Sequence, residues 1–115
     1  MLSDKRLRAL HDILDNIVRI ERFIGNADFA LFSSDERLSF AVLHALLIIS
    51  EAGRRLGPHA ESVVPGQPWS AIRALGNILR HEYEGVDLGT VWSIIIDDLP
   101  TLKAAVAEAI EIGPS

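Results

Sequence analysis

Residues 40–49 read Phe40-Ala41-Val42-Leu43-His44-Ala45-Leu46-Leu47-Ile48-Ile49, and only His44 interrupts the apolar run. Around it Leu38, Val42, Ala45, Ile49, Ala52 and Leu56 recur at three and four residues, which predicts a helix running to about Leu56. Ser33 or Ser34 stands where an N-cap is wanted, and Asp35-Glu36 behind it suit the positive end of the helix dipole. A helix that is apolar on nearly every side has to be covered on two sides. Two readings stay open: the central helix of a bundle, or a seam between two subunits. The run is too short to cross a bilayer.

The same period extends both ways. Upstream, Ser3-Asp4 caps a first helix carrying Leu7, Leu10, Ile13, Leu14, Ile17, Ile20 and Ile24, which Gly25-Asn26 stops. Residues 28–32 form a short helical turn whose Phe29 and Phe32 are spaced to plug the core. Downstream, residues 57–68 hold three prolines and two glycines and read as a loop. Pro68-Trp69-Ser70 opens a third long helix that reaches about Tyr83 and ends at Gly85. Asp87 caps a fourth, with Leu88, Val91, Trp92, Ile95 and Leu99 on one stripe; Pro100 breaks it, and Leu102, Val106, Ala109 and Ile110 make the last. No strand pattern competes. The expectation is one all-α domain over residues 1–115, an antiparallel bundle of about five helices.

Composition narrows the chemistry. The 115 residues include no cysteine, which excludes a disulfide framework, a thiolate nucleophile and a zinc ribbon. Met1-Leu2-Ser3-Asp4-Lys5 carries charge with no apolar stretch behind it, so no signal peptide and a cytoplasmic location are expected. The net charge of −5 runs against the basic face that nucleic acid requires. Its distribution does not: residues 1–51 sum to −2, residues 52–81 to +3 and residues 82–115 to −6. The basic middle holds Arg54, Arg55, Arg73 and Arg80 against the single acid Glu61.

That middle also holds the candidate chemistry. His11 and His44 stand alone on their helices, His59 falls in the proline-rich loop, and no metal-ligand spacing or phosphate-cradling glycine loop occurs. The third helix differs, with Arg73, Asn77, Arg80, His81 and Tyr83 close together. Asn77 and His81 are four apart and share a face; Arg73, Gly76, Arg80 and Tyr83 form the neighbouring stripe. Imidazole carries protons at neutral pH, guanidinium binds phosphate, and an amide orients either. This set suits metal-free RNA cleavage, in which a base helps the 2′-hydroxyl attack its own phosphate. A solvated Arg/His helix face is the plainer reading of the same residues.

Almost the whole chain resembles the HepT-like branch of the HEPN superfamily, small all-α proteins that act as toxins beside nucleotidyltransferase antitoxins. The resemblance rests on Pro68-Trp69, on Gly76-Asn77-Ile78-Leu79-Arg80-His81-Glu82-Tyr83, on Gly85-Val86-Asp87-Leu88, on Val91-Trp92 and on Asp98-Leu99-Pro100-Thr101-Leu102. Ile48-Ile49-Ser50-Glu51-Ala52-Gly53-Arg54-Arg55-Leu56 looks like the family's second-helix signature. The resemblance implies a metal-independent endoribonuclease without cofactor, a homodimer with its two motif helices facing one cleft.

The family's hallmark is an arginine, often followed by Asn, then a His four to six residues on and a Tyr two further. Asn77, His81 and Tyr83 match it, whereas Gly76 stands in the arginine's place. The expectation is that Arg80 or Arg73, each about one turn from Gly76, supplies the missing charge, with His81 as general acid/base and Asn77 orienting. Tyr83 is the residue that, by resemblance, receives AMP from the partner nucleotidyltransferase. The implied substrate is RNA, with tRNA the usual expectation. The other reading, for which Gly76 speaks, is a nuclease-inactive dimer that engages a nucleotidyltransferase or a nucleotide. Trp69 and Trp92 are expected in the core, and Arg54 and Arg55 on the surface.

Overall fold

Helix starts in this chain are set by short polar side chains that satisfy backbone N–H groups otherwise left without partners. The structure, a computed structural model, describes residues 3–112 apart from the side chain of Tyr83. Met1, Leu2 and residues 113–115, included above in the single domain, lie outside the described residues. Helix α1 (Asp4–Ile24) is capped by Ser3, which accepts the Arg6 N–H at 3.2 Å, and ends at Gly25 with φ +51°, where a side chain would be strained. Helix α2 (Phe29–Ser34) is capped by Asp28. Helix α3 (Glu36–Leu56) is capped by Asp35, which accepts the Leu38 N–H at 3.2 Å. Ser33 and Ser34 do not cap it. Because α2 continues through Ser34, both hydroxyls donate back to the Ala30 carbonyl, and Asp35 is where the backbone turns extended.

The expected loop over residues 57–68 is partly helical: a 3-10 turn (Gly57–His59) leads into the short α4 (Ala60–Val63). Ala60 and Val64, four apart, are both buried and pull this segment onto the core. The Val64 carbonyl accepts the Trp69 indole N–H at 3.0 Å. Helix α5 (Trp69–His81) stops short of Tyr83, since Glu82 leaves the helical conformation and a separate 3-10 turn covers Tyr83–Gly85. Helix α6 (Leu88–Ser93) is capped by Asp87, which accepts from the Gly89 N–H at 3.1 Å and the Thr90 hydroxyl at 2.7 Å.

Pro100 does not break the chain's last helical segment. The helix widens into a π turn over Ile94–Asp98 and passes directly into α7 (Leu99–Ile112). There the Leu99 N–H reaches back to the Ile94 carbonyl. Proline has no N–H to place, and the wider turn moves the carbonyl its ring would strike. The two final helices expected from sequence are therefore one continuous rod.

Among the described residues there is no strand, and the architecture is an all-α antiparallel bundle. Helix α3 is its centre, packed against α1, α2 and α5, while α1 also packs on α7. Ile13, Ile17, Phe32, Val42, Ile49 and Trp69 are among the fully buried side chains. Of the two phenylalanines expected in the core, Phe32 is buried and Phe29 is 41% exposed. Both lie on the half-buried Trp92, at ring-centroid distances of 5.2 and 6.0 Å. Among the described residues no helix is long and apolar enough to cross a membrane.

Helices α3 and α5 approach closely at two glycines. A Cβ built on Gly76 would lie 1.7 Å from the Ser50 hydroxyl oxygen and 2.7 Å from its Cβ. One on Gly53 would lie 3.3 Å from the Trp69 ring. Glycine at 76 is thus what lets the two helices touch. Gly76→Ala should lose about 1–3 kcal/mol by overpacking, measured by urea unfolding, and adding Ser50→Gly should recover part of that loss.

The bonds to Asp87 from Thr90 and Gly89 hold its carboxyl below the usual carboxylate range. A folded-state pKa below the unfolded one stabilises above the unfolded value and is lost as pH falls through the folded value. The melting-temperature gap between wild type and Asp87→Ala should therefore close in acid.

Candidate catalytic face on helix α5

Helix α5 is amphipathic in a way that serves display. Trp69, Ile72, Leu75, Gly76 and Leu79 are buried and fix its orientation on α3. Asn77, Ile78 and His81 are exposed on the other side. His81 is the last helical residue, so its imidazole stands at the end of the rod, open to a substrate. Asn77 lies one turn before it on the same face.

The position of the family arginine has no room for a side chain here. Gly76 faces α3, and anything beyond hydrogen at that site would enter Ser50. The guanidinium of Arg80, one turn away, occupies the space beside Gly76. Helical side chains lean toward the N-terminus and cover the preceding turn. The Arg80 guanidinium accordingly comes to 3.4 Å from where a Cβ on Gly76 would sit. One of its nitrogens donates to Glu51 Oε1 on α3 and another to Asn77 Oδ1. The Arg80 side chain is only partly exposed, at 21%.

Of the residues singled out from sequence, the structure brings Arg80 and Asn77 into contact and puts His81 on Asn77's face. It does not bring Arg73 to them: Arg73 lines a separate cleft with Gly53, Arg54 and Gly57. The Tyr83 backbone begins the 3-10 turn just past His81, and its side chain lies outside the described residues. Glu51 is the participant that sequence reasoning missed. It sits inside the second-helix signature, but nothing in the spacing links position 51 to position 80 until α3 and α5 are packed. Among the described residues, His11, His44 and His59 are exposed and form no hydrogen bond or ion pair with Arg80, Asn77 or His81, and no three His, Asp or Glu side chains are grouped to hold a metal.

Comparison with known proteins finds similarity along most of the chain. The family described as "Ribonuclease HepT-like" matches residues 13–109. A protein of Methanocaldococcus jannaschii described as "Putative RNase MJ1380" is 34% identical over 106 residues, covering 91% of this chain and 97% of its own. The "Probable ribonuclease HepT" of Thermococcus cleftensis is 35% identical over 94 residues, covering 82% of this chain and 86% of its own. A second M. jannaschii protein, "Putative RNase MJ0127", is 32% identical over 111 residues, covering 96% and 92%. No solved structure matches.

The Glu51 side chain is 46% exposed, and exposed ion pairs contribute little to stability. Glu51→Ala should shift the unfolding free energy by less than about 1 kcal/mol, read by denaturant titration, so a larger effect on RNA cleavage would report on the site rather than on folding.

Proposed function

Given that the chain belongs to the HepT-like ribonuclease family, we propose that it is an endoribonuclease that cuts RNA without a metal ion, using the exposed face of α5. The observation that carries this reading is the seating of the Arg80 guanidinium over Gly76, against Asn77 and one residue from His81. That arrangement supplies a phosphate-binding cation beside a proton carrier even though the motif arginine is absent.

In the proposed reaction the His81 imidazole takes the proton of a ribose 2′-hydroxyl, whose oxygen attacks the adjacent phosphorus. The bond from phosphorus to the 5′-oxygen breaks, and that oxygen takes a proton from a protonated imidazole. The products are a 2′,3′-cyclic phosphate and a 5′-hydroxyl. Arg80 stabilises the charge that builds on the phosphoryl oxygens, and Asn77 holds the guanidinium in place.

The proton donor is His81 of the partner subunit in a homodimer built on the α3–α5 face. Ile78, 40% exposed between Asn77 and His81 in the helical order, supports such an interface, as do the half-buried Leu47 and Ile48 on the α3 stripe of Glu51. A protein of this kind works in the cytoplasm beside a nucleotidyltransferase antitoxin. AMP placed on Tyr83, two residues past His81, would silence it by adding negative charge and bulk where the substrate phosphate must approach. tRNA is the substrate the family resemblance favours.

A second reading, a nuclease-inactive dimer that binds the nucleotidyltransferase or a nucleotide, is favoured by the fact that Gly76 cannot be replaced by an arginine in this packing. Cleavage of RNA in the presence of EDTA separates the two. We expect cleavage to persist there, and His81→Ala to lower it by about 10²–10⁴-fold, the usual worth of general acid–base catalysis. Arg80→Ala should lower it while leaving the fold intact. Full activity of Arg80→Ala would remove the guanidinium from the mechanism, and no cleavage by the wild type would favour the binding module.

A further inference from the structure

One end of the bundle carries cations that the reaction above does not use. There the start of α1, the end of α3 and the Gly57–His59 turn enclose an open cleft of about 520 Å³ lined by Lys5, Arg6, Glu51, Arg54 and Arg55. A second cleft of about 340 Å³ lies between the same turn and α5, lined by Gly53, Arg54, Glu61 and Arg73. Arg54, Gly57 and Pro58 belong to both, so the two clefts meet at Arg54. The first begins at Glu51, the partner of Arg80, and therefore opens directly from the candidate catalytic face.

Only part of the charge here is spent on internal pairs. Arg55 is paired with Asp12, and Glu51 is neutralised by Arg80. Lys5, Arg6, Arg54 and Arg73 form no ion pair among the described residues, and the only unpaired acid lining either cleft is Glu61. In a chain of net charge −5, four unpaired cations along two joined clefts are a local reversal of sign. They are also spread out rather than convergent. Arg73 precedes His81 by eight residues, about 12 Å along the axis of α5, a span of a few nucleotides. A single small anion would engage one or two of these groups; a chain of phosphodiesters would engage them in succession.

We propose that these joined clefts form a second binding site, which holds the phosphates of a single-stranded RNA segment flanking the bond attacked at His81, with Arg54 and Arg73 as its principal contacts. The proposal rests on the ribonuclease reading above, whose substrate it extends. Each phosphate contact releases condensed counterions, so the salt dependence of binding counts the contacts.

The test measures equilibrium binding of a short single-stranded RNA to the His81→Ala protein, which holds substrate without cutting it, across a series of salt concentrations. Arg54→Ala and Arg73→Ala, singly and together, should weaken binding, and the slope of log K against log salt should fall by about 0.7 per arginine removed. Lys103→Ala, on α7 and paired with Glu21 at 2.9 Å, should leave both unchanged. RNA binding with an affinity and slope unaltered in the double variant would overturn this site and leave the ribonuclease reading standing. No RNA binding by the His81→Ala protein would overturn both. A nucleoside triphosphate bound as tightly as the RNA, and lost equally in the double variant, would assign the clefts to a nucleotide and overturn the strand.

Discussion

The close approach of α3 and α5 at Ser50 and Gly76 is the constraint on which the rest depends. Two helices pack at contact distance only where small side chains leave the backbone room. Here Gly76 offers a hydrogen to Ser50, and Gly53 offers one to the Trp69 ring. Trp69 in turn is buried, and its indole N–H is tied to the Val64 carbonyl, which draws the segment after α3 back onto the bundle. The orientation of α5, and so the display of Asn77 and His81, follows from this one seam.

The same seam decides how charge is arranged. With position 76 committed to packing, the space beside it is open to a neighbour, and the Arg80 guanidinium reaches back over the preceding turn into it. Glu51 is brought opposite it because α3 and α5 run antiparallel in contact. The pair holds Arg80 beside Asn77 without contributing much to folding, since Glu51 remains half exposed. Around the end of α3 the other arginines divide: Arg55 is absorbed by Asp12 on α1, while Arg54 and Arg73 line a cleft and form no ion pair among the described residues. The charge of the whole chain concealed this division, and the split by segment revealed its location but not its geometry.

The helical rods were legible from apolar period and punctuation alone. Ser3, Gly25 and Asp87 act as read, because positive φ and N-capping are local effects. The misreadings come from competition between neighbours. Ser33 and Ser34 are good caps in isolation, yet α2 consumes them and passes the role to Asp35. Pro100 is a helix breaker in isolation, yet the π turn ahead of it carries the helix through into α7. Residues 57–68 have a loop's composition, and only the burial of Ala60 and Val64 makes part of them helical.

By itself the amino-acid sequence determined the all-α class, the identity of the motif helix and the placing of Asn77 and His81 on one face, because all three follow from a period of 3.6 residues and from the order of residue types. Tertiary structure alone decided that the glycine at 76 is a packing requirement rather than a vacancy. It chose Arg80 over Arg73 as the guanidinium beside Asn77, made Glu51 its partner, and joined Arg54 and Arg73 along one pair of clefts. Those outcomes depend on which side chains two helices present to each other at contact distance, and spacing along a single chain carries no information about that distance.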